Sequence, residues 1–146
     1  MKYEWAFDET KQIGIDYTDI KQVQSYDSSM QKLRDIKNEN EGILKDINIS
    51  KDHTIVEFGT GTGEFALEAA KYCSKVIAVD ISKEMLRYAE MKAKSRNIKN
   101  IEFCNGGFLT YEHKAGNIDS IISQLALHHL TDFWKIIALK RIYSRS

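Results

Sequence analysis

Proline is absent from all 146 residues, although average usage of roughly 5% would supply about seven. Any signature that requires a proline is therefore excluded. The two cysteines, Cys73 and Cys104, have neither C-x-x-C spacing nor a neighbouring His or Cys, which argues against a disulfide framework or a zinc site and for two inert thiols in a reduced compartment. Charge of one sign is not concentrated anywhere. The 21 basic and 21 acidic side chains cancel, and no block of like charge stands out, so no nucleic-acid partner is expected from a phosphate-tracking face. The opening "MKYEWAFDET" has no apolar run of signal-peptide length, and no window approaches the roughly 18 apolar residues of a membrane span. A cytoplasmic chain with no membrane partner is the expectation.

What is present divides near Ser50. Residues 1–50 read as a helical cap segment and residues 51–146 as a Rossmann-like unit, one domain overall. In the first part Ile20 and Val23, then Met30, Leu33, Ile36, Ile43, Leu44 and Ile47, recur at helical intervals. A break is expected at "SYDSS", with Ser28 and Gln31 as a capping box opening a second helix. From His53 onward short apolar runs alternate with helical stretches. Strands are expected at 54–58, 75–80, 100–104 and 118–123, and helices at 64–73, 82–96 and 132–144, opened by Ser82 and Thr131 in the last two. Strands separated by helices of this length imply βαβ crossovers, hence an α/β, doubly wound, mainly parallel sheet.

The stretch "VEFGTGTGEF" places Gly59, Gly61 and Gly63 in the first strand-to-helix turn, where an open parallel sheet receives its ligand. Such a turn can accept positive φ and let a ligand meet backbone N–H groups, or it can simply be a tight connection. The sixth position of a dinucleotide fingerprint is occupied by Glu64, which would face a pyrophosphate with a carboxylate, and no Lys-Ser or Lys-Thr follows to make a Walker loop. Asp80 ends the second strand about 20 residues on, where an acid can accept both ribose hydroxyls. A nucleoside without a pyrophosphate is implied. Glu57, just before the loop, is either solvated or buried and matched to a cationic ligand group such as an ammonium.

Together "VEFGTGTGEFALEAA", "VIAVDIS", "NIEFCNGGFLTYE" and "IDSIISQLALHHLTDFWK" resemble the class I S-adenosylmethionine-dependent methyltransferases, of small-molecule type, from about residue 50 to the end. The resemblance implies S-adenosylmethionine as cofactor and S-adenosylhomocysteine as product. It implies that Glu57 holds the methionine ammonium, that Gly59, Gly61 and Gly63 line the methionine and ribose, and that Asp80 binds the ribose hydroxyls with Ile81 against the adenine. Met85 either closes that pocket or belongs to the core. Where the family commonly has an acidic residue near the adenine amino group, this chain has Asn105, Gly106 and Gly107, so Asn105 or a backbone carbonyl would substitute. Gln124 and Leu125 would face the sulfonium and acceptor. His128 and His129 stand where a base or acceptor contact would lie, or are structural; adjacent histidines without a third ligand do not suggest a metal. Tyr17 and Tyr26 are either lid residues or packing residues.

The segment "SQLALHH" contains no proline-aromatic signature of the kind that accompanies methylation of base amino groups or glutamine, which points to a small-molecule acceptor. The family's sheet normally has seven strands; here the expected order is 3-2-1-4, with the fourth strand left as an edge. That edge, or the 132–144 helix with Phe133, Trp134, Ile136 and Ile137, is a candidate surface for a homodimer. Methyl transfer by in-line displacement is the expected activity. A binding or interaction module for S-adenosylmethionine or S-adenosylhomocysteine without turnover is the alternative, and a nicotinamide-dependent oxidoreductase is a third reading.

Overall fold

The computed structural model describes residues 6–11, 20–114 and 116–144. Two helices, α1 (Ile20–Leu33) and α2 (Ile36–Asp46), precede an alternation of β1 (Thr54–Phe58), α3 (Glu64–Ala69), β2 (Lys75–Asp80), α4 (Lys83–Ser95), β3 (Ile101–Asn105), β4 (Ser120–Ser123) and α5 (Asp132–Tyr143). The four strands form one parallel sheet in the order β3-β2-β1-β4, parallel as the alternation of strand and helix implied and in the order the family resemblance implied.

The central strands are apolar because both faces are covered. Ile55, Val76 and Ala78 point to one face, under Leu44 of α2 and Phe65, Ala66 and Ala69 of α3. Val56, Phe58, Ile77 and Val79 point to the other, under Phe108, Leu130 and Ala138 of α5. The pleat then puts Glu57 on the Ile55 face, beneath the start of α3, where it is buried.

The N-terminal helices differ from expectation. Ser28 and Gln31 lie inside α1, and the break falls at Arg34–Asp35. Asp35 caps α2 by accepting from the Asn38 N–H at 3.2 Å, whereas serines of the expected break bond back into the helix. Ser25 Oγ donates to Gln22 O and Ser29 Oγ to Ser25 O, a mode that leaves the helix continuous. Ser82 does cap α4, accepting from Met85 N–H at 3.2 Å. Thr131 precedes α5 but its side chain makes no capping bond. The helix expected over 64–73 stops at Ala69, and β4 starts at Ser120, two residues after Ile118.

Candidate functional site

At the carboxyl ends of β1, β2 and β4 lies a cavity of about 460 Å³, within the range of small-molecule sites. Its floor is the glycine loop. Gly59 and Thr60 N–H groups donate to Val79 O at 2.8 and 3.1 Å, folding the loop onto β2. Gly59 has φ +72, and a Cβ there would stand 2.3 Å from the Ala126 Cβ, so glycine is demanded twice, by backbone and by the segment that follows β4. Gly61 and Gly106, Gly107 also line the cavity, while Gly63 is turned toward Ala89 of α4 and stands outside the wall.

Asp80 joins three elements. Its Oδ2 accepts from Gly61 N–H at 2.8 Å and its Oδ1 from Ser82 N–H at 2.8 Å, so one carboxylate ties the glycine loop to the start of α4. Burial pushes its pKa up, opposed by those N–H groups. A carboxylate has about four acceptor positions, and two bonds leave capacity for a diol.

Glu57 is buried, which removes the solvated reading. Burial, with the Asp80 charge adding to it, pushes its pKa up to about 7 against the opposing pull of the Thr60 hydroxyl and the Ala66 N–H. Thr60 Oγ1 donates to Glu57 Oε2 at 2.6 Å. A buried acid held only part-ionised by neutral donors gains most from a cationic neighbour.

The remaining predicted residues separate into two groups. Ile81, buried Met85, Tyr26, Gln124, Leu125, His128 and His129 are all in the cavity wall. Leu125 sits at the mouth, exposed and with φ +52, a conformation uncommon for a non-glycine residue. His128 and His129 form a one-turn 3-10 helix with ring centroids 4.2 Å apart, and partial burial plus the neighbouring His128 holds the His129 pKa below its usual value. Asn105 is not in the wall: its Nδ2 donates to Asp80 O and Ile81 O, both at 3.0 Å, tying β3 to the end of β2. Tyr17 lies outside the described residues. Among the described residues no group of three His, Cys, Asp or Glu side chains is placed to hold a metal, and no helix is long and apolar enough to cross a membrane. Cys104, pushed up to about 11 chiefly by burial, is a poor nucleophile.

Sequence reading passed over the polar residues that N-terminal segments bring to the rim. Asp27 of α1 accepts from the Thr62 hydroxyl of the glycine loop and pairs with Lys92 of α4, which also pairs with Glu64. Asn40 of α2 is buried and accepts from Gln124 Nε2 at 3.4 Å. Glu9 is buried against the loop after β3. Thr60, three residues after Glu57, was accessible to a sequence argument; Asp27, Asn40 and Glu9 carried no signal, because their partners are distant in the chain.

Residues 55–145 match the family described as a methyltransferase domain. The chain belongs to that family. An uncharacterized methyltransferase of Bacillus licheniformis is 34% identical over 101 residues, covering 69% of this chain and 46% of the relative. The crystal structure of an S-adenosylmethionine-dependent methyltransferase from Aquifex aeolicus superposes with a TM-score of 0.67 at 26% identity, covering 85% of this chain and 66% of that one. Coclaurine N-methyltransferase, bound to N-methylheliamine and S-adenosylhomocysteine, gives 0.64 at 25% identity, covering 74% and 32%. This methyltransferase domain spans about half the length of the curated relatives it matches, between 38% and 55%. Membership makes S-adenosylmethionine the cofactor and removes the nicotinamide reading. The donor set fits that molecule: a methyltransferase domain that holds Glu57, an open loop and Asp80 around one cavity offers an anion for an ammonium, backbone for a flexible chain and an acceptor pair for a ribose.

Proposed function

We propose that the chain carries the cofactor half-site of an S-adenosylmethionine-dependent methyltransferase acting on a small-molecule acceptor. Asp80 carries the proposal: its buried carboxylate, in the cavity wall, is fixed by the glycine loop and by the start of α4, which suits a vicinal diol. In this reading Glu57 binds the ammonium, Gly59 and Gly61 contact the methionine and ribose portions, Ile81 and Met85 flank the base, and Gln124 and Leu125 border the reacting centre. Gly63 and Asn105 support the site by holding the loop against α4 and β3 against β2.

The cofactor, when bound, supplies an electrophilic methyl group on a sulfonium. The chain's own task is alignment and exclusion of water. The described residues before β1 act as a cap: Phe7, Tyr26 and Met30 stand in the cavity wall. His129, kept neutral by its surroundings near neutral pH, is the side chain suited to take a proton from an acceptor that must lose one, with His128 beside it. A small acceptor is supported by the size of the cavity, by the absence of a block of basic charge and by the small amine bound to coclaurine N-methyltransferase. We further propose a cytoplasmic protein that pairs with a second copy through the β4 edge or α5. Phe133 and Ile136 are exposed there, while Trp134 is half-buried with its ring centroid 6.4 Å from that of Phe7.

Titration calorimetry with S-adenosylmethionine, and NAD as control, tests the site. Micromolar binding of the former alone, lost on Asp80→Ala, is expected; equal or tighter binding of NAD would sink the reading. Turnover of any acceptor that disappears in the same variant establishes transfer, and light scattering giving a monomer mass removes the pairing.

A further inference from the structure

The loop after β3 has an opening that a residue from the far end of the sequence fills. A Cβ built on Gly107 would lie 2.5 Å from Glu9 Oε2 and 2.8 Å from Oε1. The Glu9 carboxylate thus occupies the volume that a side chain at 107 would take. Three hydrogen bonds hold it there: Leu109 N–H donates to Oε1 at 3.1 Å and to Oε2 at 3.3 Å, and Thr110 Oγ1 donates to Oε1 at 2.7 Å. Glu9 is 7% exposed, yet it is part of the cavity wall together with Gly106, Gly107, Phe108, Ile81 and Met85.

A buried carboxylate is costly unless donors surround it. The donors that hold Glu9 are neutral, and Oε2 receives only the longer branch of a shared N–H, so acceptor capacity remains on that oxygen. The neighbours define what a ligand would present. Asp80, Ile81, Met85 and residues 106–108 line the same cavity, and β3 is the strand next to β2, so a base carried on a ribose held by Asp80 would meet Ile81, Met85 and the 106–108 loop. Asn105 stands outside the cavity wall, its Nδ2 donating to Asp80 O and Ile81 O.

We propose that Glu9 is a specificity-determining residue of the cofactor site, its carboxylate accepting from the exocyclic amino group of the adenine; the inference rests on the cofactor reading above. An amino group offers N–H donors to this acid. A 6-oxo purine would set a carbonyl oxygen against the same carboxylate, which leaves both acceptors unpaired. The segment around Glu9 is then more than a cover: it reads the base.

The test uses the whole chain and two ligands, S-adenosylhomocysteine and S-inosylhomocysteine, compared by calorimetry. The wild type is expected to prefer the adenosine form by roughly 10- to 100-fold, the range a charge-assisted hydrogen bond supports. Glu9→Gln, whose amide can donate to a 6-oxo group, is expected to bring the ratio close to one, while circular dichroism confirms the fold. A purely structural role for Glu9 would weaken both ligands alike and keep the ratio, and that result overturns the inference. Equal affinities in the wild type overturn it without any variant. Failure of the wild type to bind S-adenosylhomocysteine at all takes down the cofactor reading itself, whereas binding with an unchanged ratio in Glu9→Gln takes down the role of Glu9 alone.

Discussion

Lys92 Nζ lies 2.6 Å from Asp27 Oδ2, a pair separated by 65 residues of sequence. Lys92 also binds Glu64 at the start of α3 and sits 5.2 Å from the centre of the Tyr88 ring, while the other Asp27 oxygen accepts from Thr62. One ammonium thus clamps α1, the glycine loop and α4 at the rim of the cavity, in a setting where its side chain is 12% exposed.

Replacing the clamp's centre should be costly. Lys92→Met leaves Asp27 and Glu64 partly buried without their cation, and a loss of about 2–3 kcal/mol in urea unfolding is expected. Amide exchange in α1 should accelerate more than exchange in β1 and β2. Unchanged protection of α1 would show that the ion pairs do not hold the cap.

Glu57 should make the chain less stable as pH rises. Its folded pKa of about 7 exceeds the ordinary 4.5, so between those values the folded chain keeps a proton that the unfolded chain has lost. Stability is then fully present below 4.5 and falls through about 7. The total loss is about 3 kcal/mol at most. Glu57→Gln should remove this slope and surpass the wild type above pH 7 in chemical denaturation; a variant that tracks the wild-type profile would refute it. The raised pKa of Asp80 contributes in the same direction and remains in the variant.

The same group should couple cofactor binding to proton release. An ammonium beside Glu57 favours its ionised form, so binding near pH 7 is expected to expel roughly half a proton, and affinity should rise with pH until Glu57 is ionised in the free protein. Calorimetry in buffers of different ionisation enthalpy measures the number directly. Zero protons released, with tight binding, would place the ammonium elsewhere.

Gly59→Ala should lose about 2–4 kcal/mol and the cofactor site with it, because the new Cβ meets Ala126 at 2.3 Å and the backbone sits at φ +72. Adding Ala126→Gly should recover the steric share and leave about 1 kcal/mol of backbone strain. Strict additivity in this cycle would show that the two residues do not meet.

The four strands and their helices were legible in the sequence because their signals are local. Near-continuous apolar runs mark strands buried on both faces, and Ser82 caps the helix that directly follows it. That Asp80, Gly59 and Gly61 share one cavity was legible too, since a parallel sheet brings consecutive strand ends together at one edge, whereas Gly63 turned away toward Ala89. The helix break was misplaced because the serines of "SYDSS" have two uses, capping a helix or bonding back into one, and only the packed structure selects between them.

The sequence by itself determined the strands, their helices and the glycine turn before α3, because hydrophobic period and turn chemistry act over a few residues. Tertiary structure alone decided that Glu57 is buried, that Asp27 and Lys92 clamp the rim, and that Glu9 fills the space beside Gly107. Each of those depends on which distant segment supplies the partner of a polar group, and the choice is made by the burial of the whole chain rather than by any run of neighbouring residues.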